Sequence, residues 1–303
     1  MITAPQVLPP RTSPQPSETW ARRRWAPQKL LTSATKHAVL LIFTVVFGFP
    51  LLWMVLSSLK SNPQALQSPV VWWPRPFLWD NYPNVINAVP FYRFVLNTLL
   101  YAAITIVGVC LSSSLVAYGF ARLRWRGRDA LFFVMLCTLL VPFFATLLPL
   151  FILYRKFHMV GWYLPLEIPT FFGSSVFSTF LLRQFFMTIP EALSDAARVD
   201  GANEFYIYSR IILPLAKPAM ATVVLFQFIY CWNDYIGPLI FINNENWYPL
   251  SIGLSFVLGT YSTNWPWVMA AAAAATAPIV ILFFFTQRTF MGGISIQGTG
   301  TKG

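Results

Sequence analysis

Six apolar stretches, at about 38–59, 94–120, 130–154, 164–186, 218–241 and 265–286, set the tightest limit on what this chain can become. Each has roughly the 20 residues a helix needs to cross about 30 Å of hydrocarbon. In lipid the backbone must satisfy its own hydrogen bonds, so such stretches become helices rather than an open sheet. The alternating pattern of a membrane barrel is absent. Composition agrees: the 303 residues are 56% hydrophobic and 10% charged, against about 25% charged in an ordinary soluble domain. The expected fold is an all-α membrane protein, with six transmembrane helices within 37–290. A basic, proline-rich arm (1–36) precedes them and a glycine-rich tail (291–303) follows.

The arm is expected to be disordered, because Pro5, Pro9, Pro10, Pro14, Pro16 and Pro27 oppose a regular helix. It carries Arg22, Arg23, Arg24, Lys29 and Lys36, a cluster suited to orientation and to anionic head groups. No small-residue cleavage site follows the first apolar run, so it does not read as a cleavable signal. The net charge of +11 is not that of a nucleic-acid binder, since the cations flank span ends. Sixteen Lys and Arg fall on one side, in the arm, the 121–129 and 183–217 connections and the tail. Lys60, Arg75, Arg93, Arg155 and Lys156 fall on the other. The positive-inside rule then places both termini and the 183–217 connection in the cytoplasm.

Cys110, Cys137 and Cys231 lie in apolar spans and read as buried packing thiols. His37 and His158 are isolated, so neither a metal site nor a His-based catalytic site is expected. On the outer side, Trp72, Trp73, Trp79, Tyr82, Trp162, Tyr163, Trp247, Tyr248, Tyr261, Trp265 and Trp267 read as interfacial aromatics, with a sugar-stacking platform as the alternative. The 242–264 segment lacks Lys and Arg and reads as an external loop long enough to meet a partner. Ser112, Ser113, Ser114, Ala117 and Gly119 in span two, and Ala270 to Ala275 in span six, suit close helix contact. Pro142, Pro149 and Pro278 interrupt spans three and six, either as tolerated kinks or as hinges.

Residues 188–217 are the anomaly: a charged amphipathic insert between two apolar spans. Thr188 and Glu191 have capping-box spacing, and Pro190 suits a first helical turn. A helix is expected over about 189–199, ended by Gly201, which takes the left-handed conformation without Cβ strain. Asn203 then caps a second helix that opens with Glu204 and stops near Pro214. Pro218 begins span five. Such a helix–turn–helix is suited to seating in a moving partner, with Asp195 and Asp200 available for cationic groups. A solvated hairpin without a partner is the alternative.

The order Asp195-Ala196-Ala197, Asp200-Gly201-Ala202, Ile211-x-Leu213-Pro214 resembles the EAA loop of ABC importer permeases. Ile189-Pro190 and Pro218 fit around it. Asn97, Ala117-Tyr118, Ala121-Arg122, Trp232-Asn233-Asp234, Pro238-Leu239, Gln287-Arg288 and Lys302-Gly303 extend the resemblance to the carbohydrate-uptake, maltose-transporter branch. The family usually has Glu where this chain has Asp195, which shortens the reach by one methylene. The tail is also a little longer than usual.

The resemblance implies a type I importer permease with the 188–217 segment as coupling loop. Asp195, Ala196, Ala197, Asp200, Gly201, Ala202, Leu213 and Pro214 would be its ATPase-docking residues. It implies a second homologous permease subunit, two ABC ATPase subunits that bind ATP and Mg, and an extracytoplasmic solute-binding protein, in a prokaryotic inner or plasma membrane. This chain has no G-x-x-x-x-G-K-[ST] loop, so it would hold no cofactor and be a non-catalytic subunit. Only Glu167 and Asp234 put charge in or near the spans, which suits a neutral, hydroxyl-rich solute. Trp232, Asn233 and Asp234 are candidate pathway residues, with bonding between helices as the alternative. Glycerol phosphate or another organic solute is the runner-up cargo, a stand-alone secondary carrier the runner-up class.

Overall fold

The computed structural model describes residues 27–298, with side chains for 32–286. The cluster Arg22–Arg24 and the terminal Lys302-Gly303 lie outside the described residues, and the Gln287-Arg288 side chains lie outside those with side chains. Among the described residues all regular structure is helical. The chain forms two compact units that divide after Leu52. Helix α1 (Pro27–Ser58) starts inside the expected disordered arm. Pro27 is its first residue, where a missing N–H costs nothing.

Two short helices, α2 (Asn62–Leu66) and α3 (Asn81–Ala88), fold the connection that follows α1. Lys60 is fully buried there, its ammonium 4.0 Å from the Trp53 ring centroid. Burial pushes its pKa below the ordinary lysine value. Asn81 donates to the Ser58 and Lys60 carbonyls, fixing that corner.

Helix α4 (Phe91–Ala121) is the central pillar. It packs on α8 (Val176–Thr188), on α12 (Lys217–Asn233) and on the 3-10 segment Ile168–Phe172. Part of the expected small-residue stripe makes close contacts, although a Cβ on Gly119 would meet nothing within 4 Å. Ser112 donates to the Thr170 carbonyl and Ser113 to that of Ser175. A Cβ on Gly108 would collide with the Thr170 hydroxyl and the Phe171 ring. Small side chains substitute here for the hydrophobic drive that lipid cannot supply.

Among the described residues, six continuous spans are not seen, and three helices are long and apolar enough to cross a membrane: Thr32–Ser58, Phe91–Ala121 and Trp265–Thr286. Two bent pairs would raise the number to five. The expected span at 130–154 is α5 (Arg128–Cys137), a 3-10 turn and α6 (Phe143–Lys156), bent by 96°. Val141 is extended because the following Pro142 crowds the helical region. Pro149 and Pro278, by contrast, sit inside continuous helices. The 164–186 stretch divides into α7 (Leu164–Glu167), the 3-10 segment and α8, broken at the left-handed Gly173. Helix α8 has 13 residues, about 20 Å at 1.5 Å per residue, short of a full crossing. Span five stops at Asn233 and resumes as α13 (Ile236–Phe241).

The 242–264 segment is not a loop. It contains α14 (Leu250–Tyr261), whose Leu250, Ile252 and Val257 are buried. A window sized for a 20-residue span passes over a 12-residue core helix. Helix α15 (Trp265–Gly298) continues into the expected glycine-rich tail. Ala270 and Ala271 are fully buried, and the Ala275 carbonyl accepts from the Trp232 indole at 3.0 Å. Of the three cysteines, Cys231 is buried and Cys110 partly so. Cys137 is exposed, on the last turn of α5 before the bend.

Candidate functional site

The charged insert is built as two helical arms. Helix α9 (Glu191–Val199) follows Pro190. The expected capping box does not form: Thr188 is still in α8 and its hydroxyl bonds back to the Phe185 carbonyl. The turn does form. Gly201 has φ +84°, Gly201 N–H donates to Arg198 O at 3.0 Å, and Ala202 N–H to Ala197 O at 2.9 Å. This pair of bonds closes the helix end as a Schellman motif. Asn203 then caps the second arm by accepting from Tyr206 N–H at 2.8 Å.

The second arm is α10 (Glu204–Tyr206), a π-helical segment Ile207–Ile212 and α11 (Leu213–Leu215). It passes one residue beyond Pro214 and meets α12 at 76°. A π turn closes over five residues rather than four. Ile207 and Ile212, five apart, are both fully buried, with Tyr208 beside them. They join Ala197, Leu182, Phe186 and Val223 in one apolar cluster.

The structure thus sorts the motif residues. Ala197 is 9% exposed and packs inward, and Leu213 is partly buried against the same cluster. Asp195, Ala196, Asp200, Gly201 and Pro214 are exposed, and Ala202 is half-buried. Ala197, Asp200, Gly201 and Ala202 line a depression of about 560 Å³ with Asn203, Tyr206 and Arg210. Asp195 is not a free anion: Arg198 reaches it at 2.8 Å. The same guanidinium contacts Glu204 at 3.0 Å. Two anions hold its pKa above the ordinary arginine value. Hydrogen bonds from Tyr118 and Arg198 hold the Glu204 carboxyl below the usual range.

Beyond the motif, Leu193, Val199, Phe205 and Tyr206 stand 45%, 87%, 70% and 54% exposed on this otherwise charged insert. Exposed apolar side chains on a polar element form the kind of surface that meets another protein or a membrane. Phe205 carries no motif signal. Only its exposure reveals it, since its ring centroid lies 6.2 Å from that of the buried Tyr208 yet the side chain remains largely open.

Near the other end, the Asp234 carboxylate accepts from the Tyr101 hydroxyl at 2.9 Å and from Gly237 N–H at 3.1 Å. Trp232 is buried and bonded to α15, and Asn233 donates to the Ile229 carbonyl of its own helix. Asp234 and Trp232 therefore tie elements together. Asn233 is exposed and bonds only within α12. Next to Asp234 lies a cavity of about 450 Å³. Tyr101, Tyr154, Tyr230, Thr170, Ser174, Ser175 and Gln227 supply its polar groups, Phe143 and Phe241 its aromatic walls. No Lys or Arg lines it. The sequence named none of these lining groups as pathway residues, because they converge from six elements.

Comparison with known proteins gives a consistent picture. The family model described as binding-protein-dependent transport system inner membrane component matches residues 108–294. The chain is 30% identical over 278 residues to the arabinooligosaccharides transport system permease protein AraQ of Bacillus subtilis (strain 168), covering 91% of this chain and 98% of that one. It is 28% identical over 269 residues to the diacetylchitobiose uptake system permease protein NgcG of Streptomyces coelicolor, covering 88% of each. The sn-glycerol-3-phosphate transport system permease protein UgpE of Pectobacterium atrosepticum is 30% identical over 266 residues, covering 85% of this chain and 94% of that one. Among solved structures, a chain of a bacterial ABC transporter involved in import of the acidic polysaccharide alginate aligns with TM-score 0.76 at 24% identity. The alignment covers 87% of this chain and 98% of that one.

Proposed function

From the premise that this chain belongs to the family of binding-protein-dependent transport system inner membrane components, we propose that it carries a neutral, hydroxyl-rich sugar or oligosaccharide. It does so as one of two homologous permease subunits. Two ABC ATPase subunits, which bind ATP and Mg, grip the 188–217 insert. An external solute-binding protein delivers the cargo. Both termini and the insert face the cytoplasm, a reading that the distribution of Lys and Arg supports. The chain itself performs no chemistry.

The observation that carries the cargo class is the cavity beside Asp234. Hydroxyls and an amide offer hydrogen bonds to sugar hydroxyls, aromatic walls offer stacking faces, and no cation is present. Relatives named for arabinooligosaccharides and diacetylchitobiose agree with that chemistry. A relative named for sn-glycerol-3-phosphate raises the second reading. A phosphate calls for cationic donors. Lys60 is buried under Trp53, and Arg93 is engaged by the Asn246 side chain, so these two cations are poorly placed for one.

Two measurements test this. The complex, reconstituted with its binding protein, should take up a labelled neutral oligosaccharide and leave sn-glycerol-3-phosphate outside; preference for the phosphate ester overturns the cargo class. The ATPase should co-purify with the wild-type chain and be lost from Gly201→Asp, which strains a positive-φ turn. Normal co-purification and uptake in that variant remove the docking role.

A further inference from the structure

The insert is joined covalently to α8 and α12. It is also fastened to α4, which is remote in sequence. Ser114 and Tyr208 share a hydroxyl–hydroxyl bond of 2.7 Å, Tyr118 donates to Glu204 Oε2 at 2.6 Å, and Arg122 Nη2 donates to the Ile189 carbonyl at 2.6 Å. Positions 114, 118 and 122 recur every four residues, so they form one stripe on the last turns of the pillar. The stripe reaches both sides of the insert: the link between α8 and α9 through Ile189, and the second arm through Glu204 and Tyr208.

Glu204 is the hub. One carboxylate oxygen takes the Tyr118 hydroxyl and the other takes Arg198, whose far nitrogen holds Asp195. Tyr118 is 5% exposed, and its ring meets that of Tyr208 edge-on at 5.4 Å. A hydroxyl bonded to a carboxylate is shorter and stronger than a neutral pair. Farther from the insert, the same uninterrupted helix places Val109 and then Tyr101 in the wall of the solute cavity. Seventeen residues separate Tyr118 from Tyr101, about 25 Å of rigid helix.

We propose that the Tyr118–Glu204–Arg198 chain is a strut that passes displacement of the insert to α4 and so to the cavity wall, making these three positioning residues for the coupling of ATP hydrolysis to transport. The inference rests on the reading of the insert as the element gripped by the ATPase. It adds a second route for force beside the covalent one through α8 and α12. A purely structural hydrogen bond would hold the hairpin in place without changing how much solute moves per ATP.

The test uses the complete complex in proteoliposomes with its binding protein, reading uptake and ATP hydrolysis together. Tyr118→Phe keeps the ring contact with Tyr208 and deletes only the hydroxyl. The ATPase should still co-purify and hydrolyse within about twofold of wild type, while uptake per ATP falls about tenfold, the scale of one lost bond to a charged group. Glu204→Gln keeps an acceptor for Tyr118 and loses the charge, so its loss should be smaller, about threefold. The double variant should be no worse than Tyr118→Phe, because the pair acts as a unit. Wild-type uptake per ATP in both single variants, or a double-variant loss equal to the product of the singles, overturns the strut. Failure of the wild-type chain to retain any ATPase would instead overturn the docking reading. If Tyr118→Phe does not assemble, Glu204→Gln and Arg198→Lys carry the same measurement, and wild-type coupling in both overturns the proposal.

Discussion

The two ends of α4 solve one problem in opposite ways. At the 188–217 insert, ions are gathered: Arg198 serves Asp195 and Glu204, and Arg124 pairs with Glu191 at 2.7 Å. At the cavity, 17 residues earlier in the helix, a single carboxylate, Asp234, is satisfied by one hydroxyl and one N–H. Where water reaches the surface, charges cost little and are used freely. Toward the membrane interior each must be held, and neutral hydroxyls and amides do the remaining work. Under the proposed function the contrast divides labour: the ionic end would meet the ATPase and the hydroxyl end the solute.

The largest effect expected from breaking this contrast is at the apolar seat of the insert. Ala197→Leu forces three extra carbons against Ile207 and Leu182 and should cost about 2–3 kcal/mol. A thermal-shift measurement in detergent reads the loss, and an unchanged midpoint would mean that the seat has slack. Next, Tyr101→Phe removes one of the two donors to Asp234 and should cost about 2 kcal/mol, with uptake falling alongside. Equal uptake would detach Asp234 from the pathway. Phe205→Ala should leave the isolated chain as stable as wild type, because the ring is 70% exposed. ATPase retention should weaken about fivefold or more, as for a buried interface aromatic; undiminished retention would place the ATPase elsewhere.

A smaller effect should appear with pH. The Glu204 carboxyl is held below its ordinary value, so its contribution is present above the normal carboxylate pKa of about 4.3 and fades as pH falls below that. Wild type should lose stability below about pH 4, and Glu204→Gln should show a flatter profile over the same window. Parallel profiles would mean that the Tyr118 and Arg198 bonds do not hold in solution. The smallest effect belongs to Arg124→Ala. Its ion pair with Glu191 is 81% and 53% exposed and should be worth under about 0.5 kcal/mol. A larger change would show that the ionic end depends on individual surface pairs rather than on the Glu204 hub.

The amino-acid sequence by itself determined the solvent of this protein and its punctuation. Apolar length demanded helices in lipid, and the distribution of Lys and Arg marked a side. Gly201 and Asn203 fixed the hairpin turn, because positive φ and helix capping are local demands that a few residues satisfy alone. Tertiary structure decided the rest. It broke the 130–154 and 164–186 stretches and filled 242–264 with a helix. It turned Ala197 inward and Phe205 outward, and it set Tyr118 against Glu204, 86 residues away. Periodicity and caps record what a segment does to itself. Which side faces a neighbour, and which hydroxyl meets which carboxylate, depends on contacts between segments whose spacing along the chain carries no trace of their meeting.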